Sequence, residues 1–292
     1  MDNIMNYQLE VIKIMKKSLK NNLPKPIFES LPKYGKMLRT QLGILMFDKY
    51  SFKINKQHIH TFAAIELIHL ASLLHDDVID GAKIRRNKKT INTIFSTETA
   101  ITVGDIILII AFQLIESLNL NILREYFLYS LKNMAKAELI EQLNKNKIIS
   151  KKIYFEIIKG KTGALFGLSA SLPSIFKRSF NKKDYKIGET LGILYQIFDD
   201  INDFKKTENT GKSTFLDIKN GIISFPIILA FEKDLNNVKF LIENKEWEKL
   251  LIFLEENDII NYSKKILFKK IQSFKKQYNW LSEYIDNTFK IN

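Results

Sequence analysis

Two short stretches of this chain repeat one pattern of carboxylates. Asp76-Asp77-Val78-Ile79-Asp80 and Asp199-Asp200-Ile201-Asn202-Asp203 both read DDxxD. If each closes a helix, its first and last aspartates are four residues apart and stack on one face. Carboxylates so placed repel one another, and the C-terminal end of a helix disfavours anions further. Such a cluster becomes favourable when it holds a cation. Mg²⁺ suits it, being a hard ion bound by one or two carboxylates, with water and phosphate oxygens completing an octahedron. A single copy reads equally well as a solvated acidic turn. Two copies, each preceded by apolar helix (Leu67, Leu70, Leu73, Leu74; Leu191, Leu194, Ile197, Phe198), point to a metal-bound anionic head above an apolar tail.

Cations stand close to both clusters. The chain has only five arginines, and Arg39, Arg85 and Arg86 are near the first motif in sequence. Lys36 and Arg39, at i and i+3, share a face if that segment is helical. Lys161-Thr162-Gly163 opens a small-residue stretch, and Gly211-Lys212 follows the second motif. Arginine matches phosphate oxygens bidentately and lysine supplies a point charge. With no cysteine and no Ser–His–Asp arrangement, covalent catalysis by a side-chain nucleophile is not expected; thiolate zinc sites and disulfides are excluded. His58 and His60 lie in a polar stretch, which argues against a His-rich metal site.

The elements that position these residues read as long helices. Apolar residues recur at helical spacing over 7–20, 35–50, 56–80, 101–118, 122–143, 151–159, 183–204, 221–231 and 262–288. Strict alternation over more than four residues is absent, so no strand that would seed a sheet is expected. Breakers fall between the helices, at Pro24, Pro26, Pro32, Gly81, Pro173 and the run 207–212. With 11 Gly and 5 Pro in 292 residues, a sandwich or barrel is unsupported. One all-α domain over 1–292 is the expectation, a large helical bundle around a hydrophobic cavity. A net charge of +13 favours anionic partners, but the lysines are scattered and do not interleave with aromatics as a nucleic-acid reader requires. No basic leader precedes an apolar run, and the apolar runs at 101–115 and 222–231 are interrupted or short, so a cytoplasmic protein is expected.

The stretch from Glu66 to Asp80, then Arg85-Arg86, and later Tyr195-Gln196-Ile197-Phe198-Asp199-Asp200-Ile201-Asn202-Asp203, closely resembles the trans-isoprenyl diphosphate synthases, the polyprenyl synthetases, in motif order from about Lys33 to Pro226. The resemblance implies an isoprenoid-synthase bundle, usually a homodimer, that condenses isopentenyl diphosphate with an allylic diphosphate using Mg²⁺. By motif position, Asp76, Asp77, Asp80, Asp199, Asp200 and Asp203 would hold about three Mg²⁺. Arg85, Lys161, Thr162, Gln196 and Lys212 would contact the allylic substrate. Lys36, Arg39, His69 and Arg86 would hold isopentenyl diphosphate. His69 lies two turns before Asp76 on one face, which fits that role.

In the family, residues about one turn before the first aspartate line the hydrocarbon tunnel. Ala71 and Ser72 are small there, which implies a long product of hepta- to octaprenyl size for a quinone side chain, with transient membrane-surface contact at product release. The alternatives are a farnesyl or geranylgeranyl synthase, a class I terpene cyclase and a non-catalytic synthase subunit. Two departures stand out: Tyr34 and Thr40 replace the Gly and Pro of the Gly-Gly-Lys-x-x-Arg-Pro motif, and Ile222 replaces a lysine, with Lys219 as a nearby substitute.

Overall fold

The computed structural model describes residues 2–204 and 216–291, and the chain folds into two compact units. The first comprises Met1–Leu128 with Leu168–Tyr185, the second Tyr129–Gly167 with Lys186–Asn292. Both are helical, as the periodicity predicts.

In the first unit, α1 (Asp2–Asn22), α2 (Lys25–Ser30), α3 (Leu38–Lys49), α4 (Lys56–Ile79), α5 (Ile91–Ile94) and α6 (Thr97–Glu116) precede the start of α7 (Asn121–Leu143). Asn55 begins α4: its side chain accepts from the His58 backbone N–H, and the His58 ring returns the bond to the Asn55 N–H. This capping box fixes where α4 starts. His58 therefore is not in a polar surface stretch. It is buried among Phe47, Phe52 and Phe176, its ring centroid 4.3 Å from that of Phe176. Nearly every face of α4 is buried, from Ile59 to Leu74, and α6 packs along it. By length and composition α6 could cross a membrane, yet Val103, Ile107, Ile110, Ala111 and Ile115 are core residues against its neighbours.

Three local features differ from the sequence expectation. Helix α3 starts at Leu38, because Met37 adopts left-handed backbone (φ 53°, ψ 45°) and buries its side chain. Lys36 therefore lies in a loop and shares no helix face with Arg39; Gln8 and Gln41 hold that loop through the Lys36 carbonyl (3.1 and 2.6 Å). A two-residue antiparallel ladder, β1 (Ile84–Arg85) with β2 (Lys88–Lys89), follows the first acidic motif. It turns on Arg86 and Asn87, both at positive φ, the conformation a two-residue hairpin turn demands. The segment around Pro26 forms the short α2, since proline is tolerated in a helix's first turn.

In the second unit, the remainder of α7 is followed by α8 (Lys151–Ile158), a π-helical turn (Lys159–Gly163) and the start of α9 (Ala164–Phe176). Then come the remainder of α10 (Lys182–Asn202), α11 (Leu216–Lys219), α12 (Phe225–Glu243), α13 (Trp247–Glu256), α14 (Ile259–Gln277) and α15 (Ser282–Phe289). In the part of α9 that belongs to the first unit, Pro173 lies inside the helix instead of ending it. Leu165, Phe166, Leu168, Ala170, Leu172 and Ile175 are all buried around that helix, and this burial outweighs the missing N–H. The segment read as one helix over 262–288 breaks at Tyr278 into a 3₁₀ turn before α15.

Candidate active site

The first motif is built by the last turn of α4. Asp76 and Asp77 are helical, and Asp80 is the C-cap, its N–H bonded to the Asp76 carbonyl (2.9 Å). The central aspartate differs from its neighbours. Asp77 is buried and accepts the Arg85 Nε–H at 2.6 Å, whereas Asp76 and Asp80 are half-buried. Burial pushes the Asp77 carboxyl up, and the Arg85 guanidinium pulls it back toward ionisation. Arg85 is thereby committed to the motif itself.

The hairpin turn aims Arg86 elsewhere. Its Nη1 donates to the Lys33 carbonyl (2.5 Å), and its guanidinium lies so close over Gly35 that a Cβ there would stand 2.7 Å from Nη2. A larger residue there would push the guanidinium end aside. Arg39, Arg86 and Arg85 all stand near enough to His69 for their charges to act on it. Burial, then these three cations, hold the imidazole well below its usual range, so His69 is neutral. Glu66, one turn earlier on α4, is buried and accepts the Thr40 N–H (3.2 Å) and hydroxyl (2.8 Å). Burial raises its pKa, and Arg39 opposes that. The Pro-to-Thr departure at position 40 thus supplies two donors to a buried carboxylate. Tyr34, the other departure, walls a small cavity with Phe28, Leu31 and Leu70, and burial pushes its phenol up to about 12. Ala71 is fully buried, while Ser72 is half-buried and donates to the His69 carbonyl (2.9 Å).

The second motif closes α10. Asp199 is exposed, Asp203 half-buried and Asp200 buried. Asp200 Oδ2 accepts the Tyr154 hydroxyl (2.7 Å) and the Phe225 N–H (2.9 Å); Oδ1 accepts the Gln196 amide (3.0 Å). Burial drives its pKa up, and these donors offset part of that. Gln196 Oε1 in turn accepts the Thr162 hydroxyl at 2.7 Å. Lys161 and Thr162 sit on the π-helical turn, whose wider winding displaces their side chains from the α-helical direction. Lys161 is half-buried against α7, paired with Glu138 at 2.7 Å and with Glu141. Lys212 lies outside the described residues. Lys219 is exposed on α11, and Ile222 is half-buried after Gly221, whose φ is +78°.

Sequence reasoning assigned no role to Glu66, Glu138, Glu141 or Tyr154. The glutamates had a legible signal, since Glu66 precedes His69 by three residues and Glu138 precedes Glu141 by three, one helix face in each case. Tyr154 had none, because its partner lies 46 residues away.

Among the described residues no three His, Cys, Asp or Glu side chains form a ready metal cluster. The carboxylates at the two helix ends nonetheless fit Mg²⁺. They are hard oxygen donors, and an ion that takes one or two carboxylates completes its shell with phosphate oxygens and water.

The chain is similar to several prenyl diphosphate synthases along most of its length. It is 32% identical over 203 residues to the octaprenyl diphosphate synthase of Escherichia coli, an alignment covering 67% of this chain and 62% of that protein. It is 28% identical to the geranylgeranyl pyrophosphate synthase of Geoglobus acetivorans over 91% of this chain and 88% of the relative. Among solved structures, the heptaprenyl diphosphate synthase of Staphylococcus aureus superposes with a TM-score of 0.82 at 26% identity, covering 99% of this chain and 96% of that one. The family model for polyprenyl synthetases matches residues 20–250, a span that includes both acidic motifs, the Arg39–His69–Arg86 cluster and the π-helical lysine. With its motifs in order and its fold that of prenyl synthases, the chain belongs to the polyprenyl synthetase family.

Proposed function

We propose that the protein is an all-trans polyprenyl diphosphate synthase, condensing isopentenyl diphosphate head-to-tail onto an allylic diphosphate. The observation that carries this reading is the shared build of the two motifs. In each, the central aspartate is tied into its own unit by hydrogen bonds, and the outer pair flanks it at the helix end. The family works on isopentenyl and allylic diphosphates with divalent metal ions.

Asp76, Asp77, Asp80, Asp199, Asp200 and Asp203 would hold about three Mg²⁺, with the hydrogen bonds on Asp77 and Asp200 bracing the two motifs. When bound, the metal would offset the negative charge that grows on the departing diphosphate. Lys161 adds a cation to the same phosphates, and Arg85, anchored on Asp77, lends its remaining N–H groups. The allylic cation is flanked by the oxygens of Gln196 and Thr162 and by the backbone of the π-helical turn. Lys36, Arg39 and Arg86 hold isopentenyl diphosphate, and neutral His69 adds a hydrogen bond without a further charge. The proton lost at the end passes to the departing diphosphate, so no side-chain base is required. Lys212 completes the allylic contacts.

The product is long, of hepta- to octaprenyl size and destined for a quinone side chain; the small Ala71 and Ser72 and the octaprenyl relative support this. A geranylgeranyl product is the second reading, favoured by the Geoglobus relative that spans 91% of the chain. The enzyme works as a cytoplasmic homodimer that touches a membrane surface when product leaves. The test is incubation with farnesyl diphosphate, labelled isopentenyl diphosphate and Mg²⁺. A ladder ending in one product longer than thirty carbons is expected, and Asp76→Ala or Asp199→Ala should lower turnover by roughly 10³-fold. A product stopping at twenty carbons overturns the length and keeps the reaction; no product overturns both.

A further inference from the structure

Tyr154 appears in none of the motifs, yet its hydroxyl terminates a directed chain of hydrogen bonds in the second unit. The residue leaves the middle of α8, is 2% exposed, and packs its ring on Phe155 and Phe225. A carboxylate only accepts, so Asp200 fixes the direction of everything bonded to it. Gln196 must present Nε2 to Asp200 (3.0 Å), and its Oε1 is then forced toward the Thr162 hydroxyl (2.7 Å). On the opposite side Tyr154 Oη (2.7 Å) and the Phe225 N–H (2.9 Å) share Oδ2, which restrains rotation of the carboxylate. Two elements are thus tied to α10 by one buried group, α8 through Tyr154 and the start of α12 through Phe225, and the same group orients Gln196 on its own helix.

We infer that Tyr154 is a positioning residue for the condensation, acting through Asp200 to set the orientation of the Gln196 amide and of the α10 terminus that carries Asp199. This rests on the functional reading above. Removing the hydroxyl leaves a buried carboxylate short of one donor, held at Oδ2 by the Phe225 N–H alone and less restrained from turning away from Gln196. The packing of the ring on its aromatic neighbours is kept by phenylalanine.

The test compares the full-length wild type with Tyr154→Phe, Asp200→Asn and the double variant, each assayed well below its unfolding midpoint. Tyr154→Phe is expected to lower kcat by about 10- to 100-fold, with KM for both diphosphates within about twofold. Because both residues act in one chain, the double variant should be no slower than Asp200→Asn alone. Wild-type kcat in Tyr154→Phe, even with a lowered Tm, shows a role in stability alone and overturns the inference. Losses that multiply in the double variant overturn it as well. Should Tyr154→Phe fail to fold, Asp200→Asn carries the test, and wild-type kcat there is the contradicting result. A wild type without turnover overturns the functional reading and this inference together, whereas an active wild type matched by Tyr154→Phe leaves that reading standing.

Discussion

Buried titratable groups in this protein include those that hold the site and, away from it, a histidine that reports on the fold. His58 is the latter. Its ring accepts the Asn55 N–H at Nδ1 (3.0 Å), which only the neutral imidazole can do, and burial lowers its pKa to about 4. The unfolded chain titrates this group near 6.5. Its contribution is therefore fully present above pH 6.5 and is lost as pH falls toward 4, because the unfolded state binds the proton first. Urea unfolding at pH 7 and pH 5 should show a loss of about 2 kcal/mol from this residue. In His58→Gln, where an amide oxygen can take the same N–H, that part of the loss should vanish; an unchanged loss would show that another group titrates. At this scale the sequence was informative about charge and uninformative about partners. The aspartates, arginines and Lys161 were legible because their spacing is local. The acceptor role of Asp200 and the burial of His58 were not, since each depends on residues distant in sequence, Tyr154 for one and Phe176 for the other.

Elements place those groups through backbone features that periodicity does not encode. The π-helical turn at Lys159–Gly163 is seated against α10, where a Cβ on Gly192 would stand 2.8 Å from the Gly163 Cα and 3.0 Å from the Thr162 carbonyl. Both obstacles are backbone, so neither can swing aside. Gly192→Ala should therefore destabilise the protein by about 1–3 kcal/mol and displace Thr162 from Gln196. Calorimetry checks the first effect and a fall in turnover at unchanged substrate KM the second; a Tm and kcat equal to wild type would contradict the packing. Long helices such as α4 and α6 were legible from their apolar repeat. The left-handed Met37 that starts α3 late and the helical Pro173 were not, because burial overrode local preference at each; the exposed Arg86–Asn87 turn was not, because neither residue is the glycine that usually marks such a turn. The loop before α3 shows the consequence. Lys36 reaches its place through the Gln8 and Gln41 bonds to its carbonyl and not by a helical register with Arg39.

For the whole molecule, the account requires that product length be set by side-chain volume beneath the first motif. Ala71→Phe should shorten the terminal product by several isoprene units while the first condensation keeps its rate, read by mass spectrometry of the product and by initial rates. An unchanged product places the limit on other residues. A crystal grown with Mn²⁺ and a bisphosphonate tests most directly the proposed binding of one cation-bridged diphosphate by both acidic motifs. The account predicts anomalous metal peaks shared between the Asp76–Asp80 carboxylates, the Asp199–Asp203 carboxylates and the phosphonate oxygens, with Asp200 still bonded to Tyr154. Acidic motifs turned apart, with no metal between them, would contradict it.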